Sequence, residues 1–459
     1  MPPSPHAAPT FVTGSTLKHV IRMTATGSIG LAAVFFVDVL NLFYISQLGE
    51  KELAAAVGYA GTLLFFLTSL AIGLSIAATA LASRALGRGE RDQAKVIAGA
   101  SLVLMALFMS AAVLLVYPWL GELLALLGAT GDTAELALRF TRWVLPSAIP
   151  LGLGMCLAAL LRSLGDARRA MFVTLGAGAV SAVLDPLLIL VLDWGLDGAA
   201  TATVLARCSM VAIGLRSLLR VHGLFAWPST QVLLVSLRPF LAIGFPAVLT
   251  QVATPVGNAF VTAAIAPFGD NAVAGWAVIV RLIPVAFVAL FALSGSVGPI
   301  LGQNLGARRF DRLRSTVRDS LKVTLVYVLL VWLLMALGSG FIADAFGAQG
   351  EARELIVFFC VFVAGSFFFN GALFVANAAF NNLGFAFYST ALNWGRATLG
   401  VAPFIWIGAQ WFGARGVLAG YGLGVVVFGV VGVWLSRRVL KRLERDASAG
   451  PVSRQPGAR

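Results

Sequence analysis

Apolar runs follow one another along almost the whole chain, each close to the roughly twenty residues that a helix needs to cross a bilayer, with short polar links between them. A soluble fold has no place to hide that much apolar surface. Charged residues are 12% of the chain and hydrophobic ones 59%, with a mean hydropathy of +0.91, against roughly 25% charged in an ordinary soluble domain. The 459 residues leave room for about twelve crossings and for no large domain outside the membrane. The runs predict spans near 20–48, 54–83, 95–120, 134–164, 169–192 and 197–221, and then near 236–267, 273–304, 314–345, 353–383, 387–411 and 416–440. The expected fold class is therefore an all-α polytopic membrane protein.

The links carry the orientation signal. Arg84, Arg88, Arg91 and Lys95 follow the second run, Arg162, Arg168 and Arg169 the fourth, and Arg216, Arg220 and Arg238 surround the sixth-to-seventh link. Arg308, Arg309, Arg312, Arg314 and Arg318 follow the eighth, and Arg437, Arg438, Lys441 and Arg442 the last, while Glu50, Glu52, Glu122, Asp132, Asp270, Asp344 and Glu351 cluster in or beside the alternate links. The positive-inside rule puts the Lys/Arg face, and with it both termini, in the cytoplasm. The same scatter accounts for the net charge of +13 without a nucleic-acid partner. The start at Met1-Pro2-Pro3 lacks the compact apolar core and small-residue cleavage site of a signal peptide, so the first helix is expected to be retained. Cys156, Cys208 and Cys360 are far apart inside apolar runs and read as packing residues rather than metal ligands.

An internal repeat divides the chain. Leu86-Gly87 corresponds to Leu305-Gly306 and Leu164-Gly165 to Leu383-Gly384, both about 219 residues apart. An even number of helices per repeat gives both halves the same orientation and predicts two six-helix lobes, related by a pseudo-two-fold axis along the membrane normal, around a central cavity. The expected organisation is a cytoplasmic tail over 1–19, an N-lobe over 20–222, a linker over 223–235, a C-lobe over 236–442 and a cytoplasmic tail over 443–459.

Several segments in order then resemble the multidrug and toxic compound extrusion (MATE) family of cation-coupled exporters. They are Ala80-Leu81-Ala82-Ser83-Arg84-Ala85-Leu86-Gly87, Leu161-Arg162-Ser163-Leu164-Gly165-Asp166, Val183-Leu184-Asp185-Pro186-Leu187 and Pro299-Ile300-Leu301-Gly302-Gln303-Asn304-Leu305-Gly306. The resemblance implies antiport, in which an organic and often cationic or aromatic compound leaves as protons or sodium ions enter. It also implies a monomer in a bacterial inner membrane, whose partners are small organic substrates and the bilayer and which needs no cofactor beyond the coupling ion.

Two acids fall inside apolar runs, Asp38 and Asp185. An aspartate at a helix centre costs roughly 2.5–3.5 kcal/mol on insertion scales, so such residues face a cavity or a partner and mark function. Burial raises a carboxyl pKa and lets it exchange a proton in the physiological range. Counting back from Leu48-Gly49, the family acid of the first helix aligns with Asn41, and Asp38 stands three residues earlier on the same helical face. Ser181 occupies the place of an Asn in the DinF-like branch, and Thr203 aligns with a threonine of that branch. Asn370 aligns with an acid of the sodium-linked NorM-like branch, and the seventh run offers Gln251 and Thr254 with no Glu. An amide exchanges no proton near neutral pH, so the cation site is expected in the first half, from Asp38, Asp185, Asn41, Ser181 and Thr203, which favours the DinF-like branch.

Phe35, Tyr44, Gln251, Asn258, Asn370 and Asn377 are the candidate substrate contacts. Pro186, Pro246, Pro255, Pro284 and Pro403 are expected to interrupt spans and allow gating. Arg281 and Arg396 are expected to hold helix carbonyls or to shift with the conformation. A lipid-linked oligosaccharide flippase is the alternative reading, but it calls for cationic residues clustered in the cavity. A membrane-embedded enzyme calls for clustered nucleophiles or metal ligands, whereas His6, His19 and His222 are dispersed.

Overall fold

The computed structural model describes residues 9–46 and 51–448; within them, the side chains of Asp38, Val39, Leu42, Phe43, Ile45, Ser46, Lys51 and Ala54 lie outside the described set. Helix follows helix with no strand among the described residues. The N-lobe consists of α1 (Thr16–Ser46), α2 (Lys51–Gly87), α3 (Arg91–Leu126), α4 (Gly131–Ser163), α5 (Ala167–Val191) and α6 (Gly195–His222). The C-lobe consists of α7 (Thr230–Phe268), α8 (Asp270–Ala286 and Val288–Gly306), α9 (Phe310–Leu337 and Ser339–Ala345), α10 (Gly350–Leu383), α11 (386–411) and α12 (414–448).

Among the described residues eleven stretches are long and apolar enough to cross a membrane, and the last of them is two crossings joined end to end. Its helix is broken at Phe412 and Gly413, where Gly413 has φ +61°, a conformation that a side chain would strain. The two arms then run back along each other in such close contact that a Cβ on Gly416 would strike the Gly408 carbonyl, and one on Gly424 the Gly400 carbonyl. Twelve crossings result, at the expected positions. Their ends overrun the expected spans, since α1 begins at Thr16, α7 at Thr230 and α12 continues to Ser448. Turns outside the hydrocarbon are polar and leave no apolar signature.

Each lobe has its own apolar core. Met105, Met109, Cys156, Leu157 and Ile189 centre the first, and Trp276, Phe287, Phe359, Cys360 and Phe367 the second, with Phe287 and Phe367 stacked at 4.4 Å. Cys208 departs from the packing reading, since it is exposed on α6. The prolines divide into two groups. Pro186 leads into a π-helical turn over Leu187–Val191, Pro284 stands three residues before the break at Phe287, and Pro403 opens the helix that resumes at Ala402 after the interruption that follows Ala397. Pro246 and Pro255, in contrast, lie in an unbroken α7, so neither interrupts its span. The carbonyl of Pro246 accepts from both Thr250 and Thr390, at 2.9 and 2.7 Å.

The break in α8 is bound from a neighbouring helix. The Tyr327 hydroxyl on α9 donates to the Ala286 carbonyl at 2.8 Å and accepts from the Ala289 amide at 3.4 Å. Both backbone groups released by the break are thereby satisfied where water is scarce. Tyr327→Phe removes this partner from both and is expected to cost about 1–3 kcal/mol, read as a lower unfolding midpoint of the purified protein in detergent. An unchanged midpoint would show that the break is held by something else.

Candidate functional site

The lobes meet chiefly along three pairs of helices, α1 with α8, α2 with α7 and α2 with α8. The first two exchange under the repeat and the third maps onto itself. Toward the arginine-rich face the contact tightens to backbone against backbone, because a Cβ on Gly87 would collide with the Gln303 carbonyl and one on Gly306 with the Arg84 carbonyl. Side chains then cross the seam in both directions. Arg84 donates through Nε to the Asn382 carbonyl at 2.9 Å and through Nη2 to that of Asn381 at 3.4 Å. Gln303 donates through Nε2 to the Ser163 carbonyl at 2.7 Å. Gln303 stands 219 residues after Arg84, and Asn382 stands 219 residues after Ser163. One hydrogen bond has therefore been written twice, once from each lobe to the other.

The segment before α1 closes over this seam. Phe11 is buried, at 1% exposure, and its amide donates to Gln303 Oε1 at 2.8 Å. Its carbonyl accepts from Asn304 at 3.2 Å and from Arg312 at 2.7 Å. Thr10 donates to the Leu164 carbonyl at 3.1 Å, and Thr16 to Asp319 at 2.5 Å. Alongside, Asp166 caps α5 by accepting from the Arg169 amide at 3.0 Å and also meets Arg169 Nη1 and His222, at 2.6 and 2.8 Å. Partial burial pushes its pKa up, but those hydrogen bonds outweigh it and hold the carboxyl below its ordinary value. On the opposite half of the interface there is room. A Cβ on Gly58 or Gly61 of α2 would meet nothing, and Thr254, Ala259 and Thr262 of α7 are exposed. The helices are thus packed backbone to backbone toward the arginine-rich face and more loosely toward the other.

Three mutually packed helices, α1, α5 and α6, hold the N-lobe candidates. Asp185 is 1% exposed and Ser181, one turn earlier on the same face of α5, is also buried. The first turn after Asp185 is the π-helical one, and there α6 comes close enough that a Cβ on Gly198 would lie 2.7 Å from the Leu188 carbonyl. Thr203, five residues further along α6, is partly buried and donates to the Ala199 carbonyl at 2.9 Å. On α1, Val37 lies 3.5 Å from the position of a Cβ on Gly178, which puts the backbone of Asp38 beside α5. The Asp38 side chain lies outside the described residues. Phe35, Asn41 and Tyr44 are partly buried on the same helix, which runs unbroken from Thr16 to Ser46.

The C-lobe candidates fall into two sets. Gln251 and Asn258 are partly buried on the α7 face that also carries Thr254 and Thr262. Asn370 and Asn377 are each 7% exposed on one face of α10, and the side-chain oxygen of each lacks a hydrogen-bond partner. Arg396 is 6% exposed; its guanidinium meets the Tyr421 hydroxyl and leaves Nε unpartnered. Arg281 is exposed about a third of the way along α8, on the face opposite Ala272, Gly275 and Ile279. Among the described residues it makes no hydrogen bond or ion pair, so the expected carbonyl contact is not formed in this conformation.

Sequence reasoning overlooked the seam as a functional element. Its motifs were quoted for resemblance and its Leu-Gly pairs for periodicity, yet the signal was present, since Arg84 and Gln303 differ in chemistry but share one position in the repeat. It also passed over Arg207, an intramembrane cation on α6 that donates to Ser147 Oγ at 2.9 Å, next to the 3-10 turn of α4. If the two crossed bonds hold the seam, Arg84→Ala combined with Gln303→Ala will lengthen the distance between spin labels placed across it, by several ångströms. Arg88→Ala, which removes only local contacts with Glu90 and Gln93, is the control. Equal distances in all three proteins would show that glycine packing alone closes this side.

The sequence profile of the MatE family matches residues 28–187 and 246–407, two stretches of nearly equal length, one in each lobe. Over 429 residues the chain is 27% identical to the FAD transporter of Shewanella oneidensis, covering 92% of this chain and 94% of that protein. It is 20% identical to the multidrug export protein MepA of Staphylococcus aureus over 89% of this chain and 90% of that one. Its fold superposes on the crystal structure of a mutant of the Vibrio cholerae MATE transporter VcmN with a TM-score of 0.87, at 27% identity over 94% of this chain and 97% of that one.

Proposed function

We propose that this chain, which belongs to the MatE family of membrane transporters, exports an organic compound across a bacterial inner membrane in exchange for a proton. The arginine-rich face is assigned to the cytoplasm by the positive-inside rule, so the tightly packed side of the interface faces in and the looser side faces out. The observation that carries the reading is the near-complete burial of Asp185 beside Ser181, on a helix that relaxes into a π turn directly after it. A carboxyl at that depth is far cheaper to hold neutral than charged. Proton binding therefore stabilises one packing of α1, α5 and α6, and proton release stabilises another. An organic molecule that favours the second packing is coupled to the proton by that difference alone.

Asp38 is the second acid of the pair, with Asn41, Ser181 and Thr203 supplying hydrogen bonds around it. The candidate substrate contacts are Phe35 and Tyr44 on α1, Gln251 and Asn258 on α7, and Asn370 and Asn377 on α10. Pro186, Pro284 and Pro403 stand at helix interruptions where the lobes can flex. An inward proton gains about 2.3 kcal/mol per 100 mV of membrane potential, enough to drive export against a steep gradient. In proteoliposomes, addition of substrate is expected to release protons, and Asp185→Asn and Asp38→Asn are each expected to cut that release at least about tenfold. Release at the native rate in both variants, or release that follows a sodium gradient and ignores a proton gradient, would overturn the site or the ion.

One observation favours a second reading of the substrate. Arg281 is exposed and, among the described residues, unpaired about a third of the way along α8, and a charge inside that span belongs in a water-filled cleft rather than in lipid. It suits an aromatic compound with a phosphate or carboxylate, and the relative from Shewanella oneidensis is described as a transporter of FAD. Riboflavin and its 5′-phosphate share one ring system and differ by that anion. Transport of the phosphate ester is expected to exceed that of riboflavin and to fall at least about tenfold in Arg281→Gln, with ethidium transport unchanged. An equal loss for both flavins would assign Arg281 to structure.

A further inference from the structure

A groove of about 570 Å³ lies on the arginine-rich side, between the end of α12 and the α10–α11 link. Arg438, Lys441, Arg442 and Arg445 line it from α12, Phe385 from the link and Tyr388 from the first turn of α11. No carboxylate lines it. Glu444, the nearest acid in sequence, faces away to pair with Arg314, and Asp446 approaches only Arg442, at 3.8 Å. Arg438 lies over the Trp434 ring, 3.7 Å from its centroid. Lys441 and Arg445 make no ion pair among the described residues. Arg438, Lys441 and Arg445 thus converge with no carboxylate paired to them among the described residues, and Arg442 has only the distant Asp446, which leaves the groove a net positive charge for an anion to meet.

The depth of the groove says what that anion is. Ser436 is buried and Trp434 half-exposed, so α12 leaves the hydrocarbon within this turn, with its aromatic ring at the boundary where tryptophan gathers. At 1.5 Å per residue, Arg438, Lys441 and Arg442 stand about 3–9 Å beyond Ser436, the thickness of a headgroup layer. The geometry points to a binding site for the headgroup phosphate of an anionic phospholipid, with Arg438, Lys441 and Arg442 as its ligands, Arg445 at the mouth, and the stacked pair of Phe385 and Tyr388 (centroids 6.0 Å apart) as its apolar wall.

The site also reaches the seam between the lobes. Phe385 stands three residues after Asn382, whose carbonyl accepts from Arg84, and the turn between them places Gly384 at φ +93°. A lipid that bridges α12 and Phe385 fixes this link in the position that the Arg84 bonds require. It therefore favours the conformation sealed on this side, and its release frees the link to move.

The test uses the full chain in vesicles of phosphatidylcholine with or without phosphatidylglycerol, together with native mass spectrometry of lipid retained in detergent. The wild type is expected to retain phosphatidylglycerol, and Arg438→Gln/Lys441→Gln/Arg442→Gln/Arg445→Gln to lose at least about tenfold of that affinity, on the scale of several cations near an anionic surface. The milder Lys441→Gln/Arg445→Gln variant, which breaks no contact, is expected to lose part of it. Spin labels across the seam are expected to narrow in distribution with phosphatidylglycerol in the wild type and not in the fourfold variant. Retention at wild-type strength in both variants would overturn the site. Soluble glycerol phosphate competing as well as the lipid would overturn the assignment to a membrane lipid.

Discussion

Inside a bilayer no water waits to accept or donate a hydrogen bond, so the polar groups of the backbone must find their partners within the chain. On α2 the hydroxyls of Thr68, Ser75, Thr79 and Ser83 all donate to carbonyls one turn back, at Leu64, Ala71, Ser75 and Thr79. The break in α8 persists because Tyr327 serves both of its released groups. With lipid tails as apolar as leucine, burial of apolar surface does little to hold one lobe against the other. What remains is close backbone approach and interhelical hydrogen bonding, and both concentrate where Gly87, Gly306, Arg84 and Gln303 meet. A seam built in this way is strong enough to seal and free of the large apolar interface that would make it permanent.

The same constraint explains how the two halves could diverge without losing their common shape. Positions at the seam keep their geometry through the repeat while changing residue, as Arg84 and Gln303 show: each needs only a donor long enough to reach a carbonyl on the far lobe. Positions in the lobe interiors are under no such symmetry. The first lobe buries Asp185 in its interior, and the second buries Asn370, Asn377 and Arg396, with the carboxylate Asp319 taken up by Thr16 near the arginine-rich face. A neutral amide has no charge to gain or lose, and a guanidinium keeps its proton. On the proposed reading the first lobe therefore supplies the proton-exchanging group, and the second supplies surface and fixed charge.

Most of the fold was legible because lipid imposes a simple code. Length and hydropathy determine the number and order of the crossings, and all twelve fall near where the runs predict them. What escaped was everything that depends on facing rather than on span. Pro246 and Pro255 look like Pro284 in sequence, yet only Pro284 accompanies a break, because a neighbouring tyrosine is placed to bind the released backbone there, while the Pro246 carbonyl is taken by two threonines. Asp185 could be singled out, since an acid in an apolar run has few uses. Arg281 and Arg396 could be found but not told apart, because burial of one and exposure of the other depend on which neighbours cover each helix.

That difference in exposure bears on how a single cavity can serve opposite charges. On the proposed reading, an acid in one lobe and Arg281 in the other make a cleft that is one unit more positive when the acid is protonated than when it is ionised. A cationic compound is then favoured by the deprotonated state and opposed by the protonated one, which is the competition that exchange requires. For an anion the electrostatic preference reverses, so competition must come from the packing of α1, α5 and α6 rather than from charge. An inside-negative membrane potential then helps twice, drawing the proton in and pushing the anion out. The two substrate classes thus place different demands on the same helices: a cation can be displaced by the proton's charge, while an anion must be displaced by the movement that the proton causes.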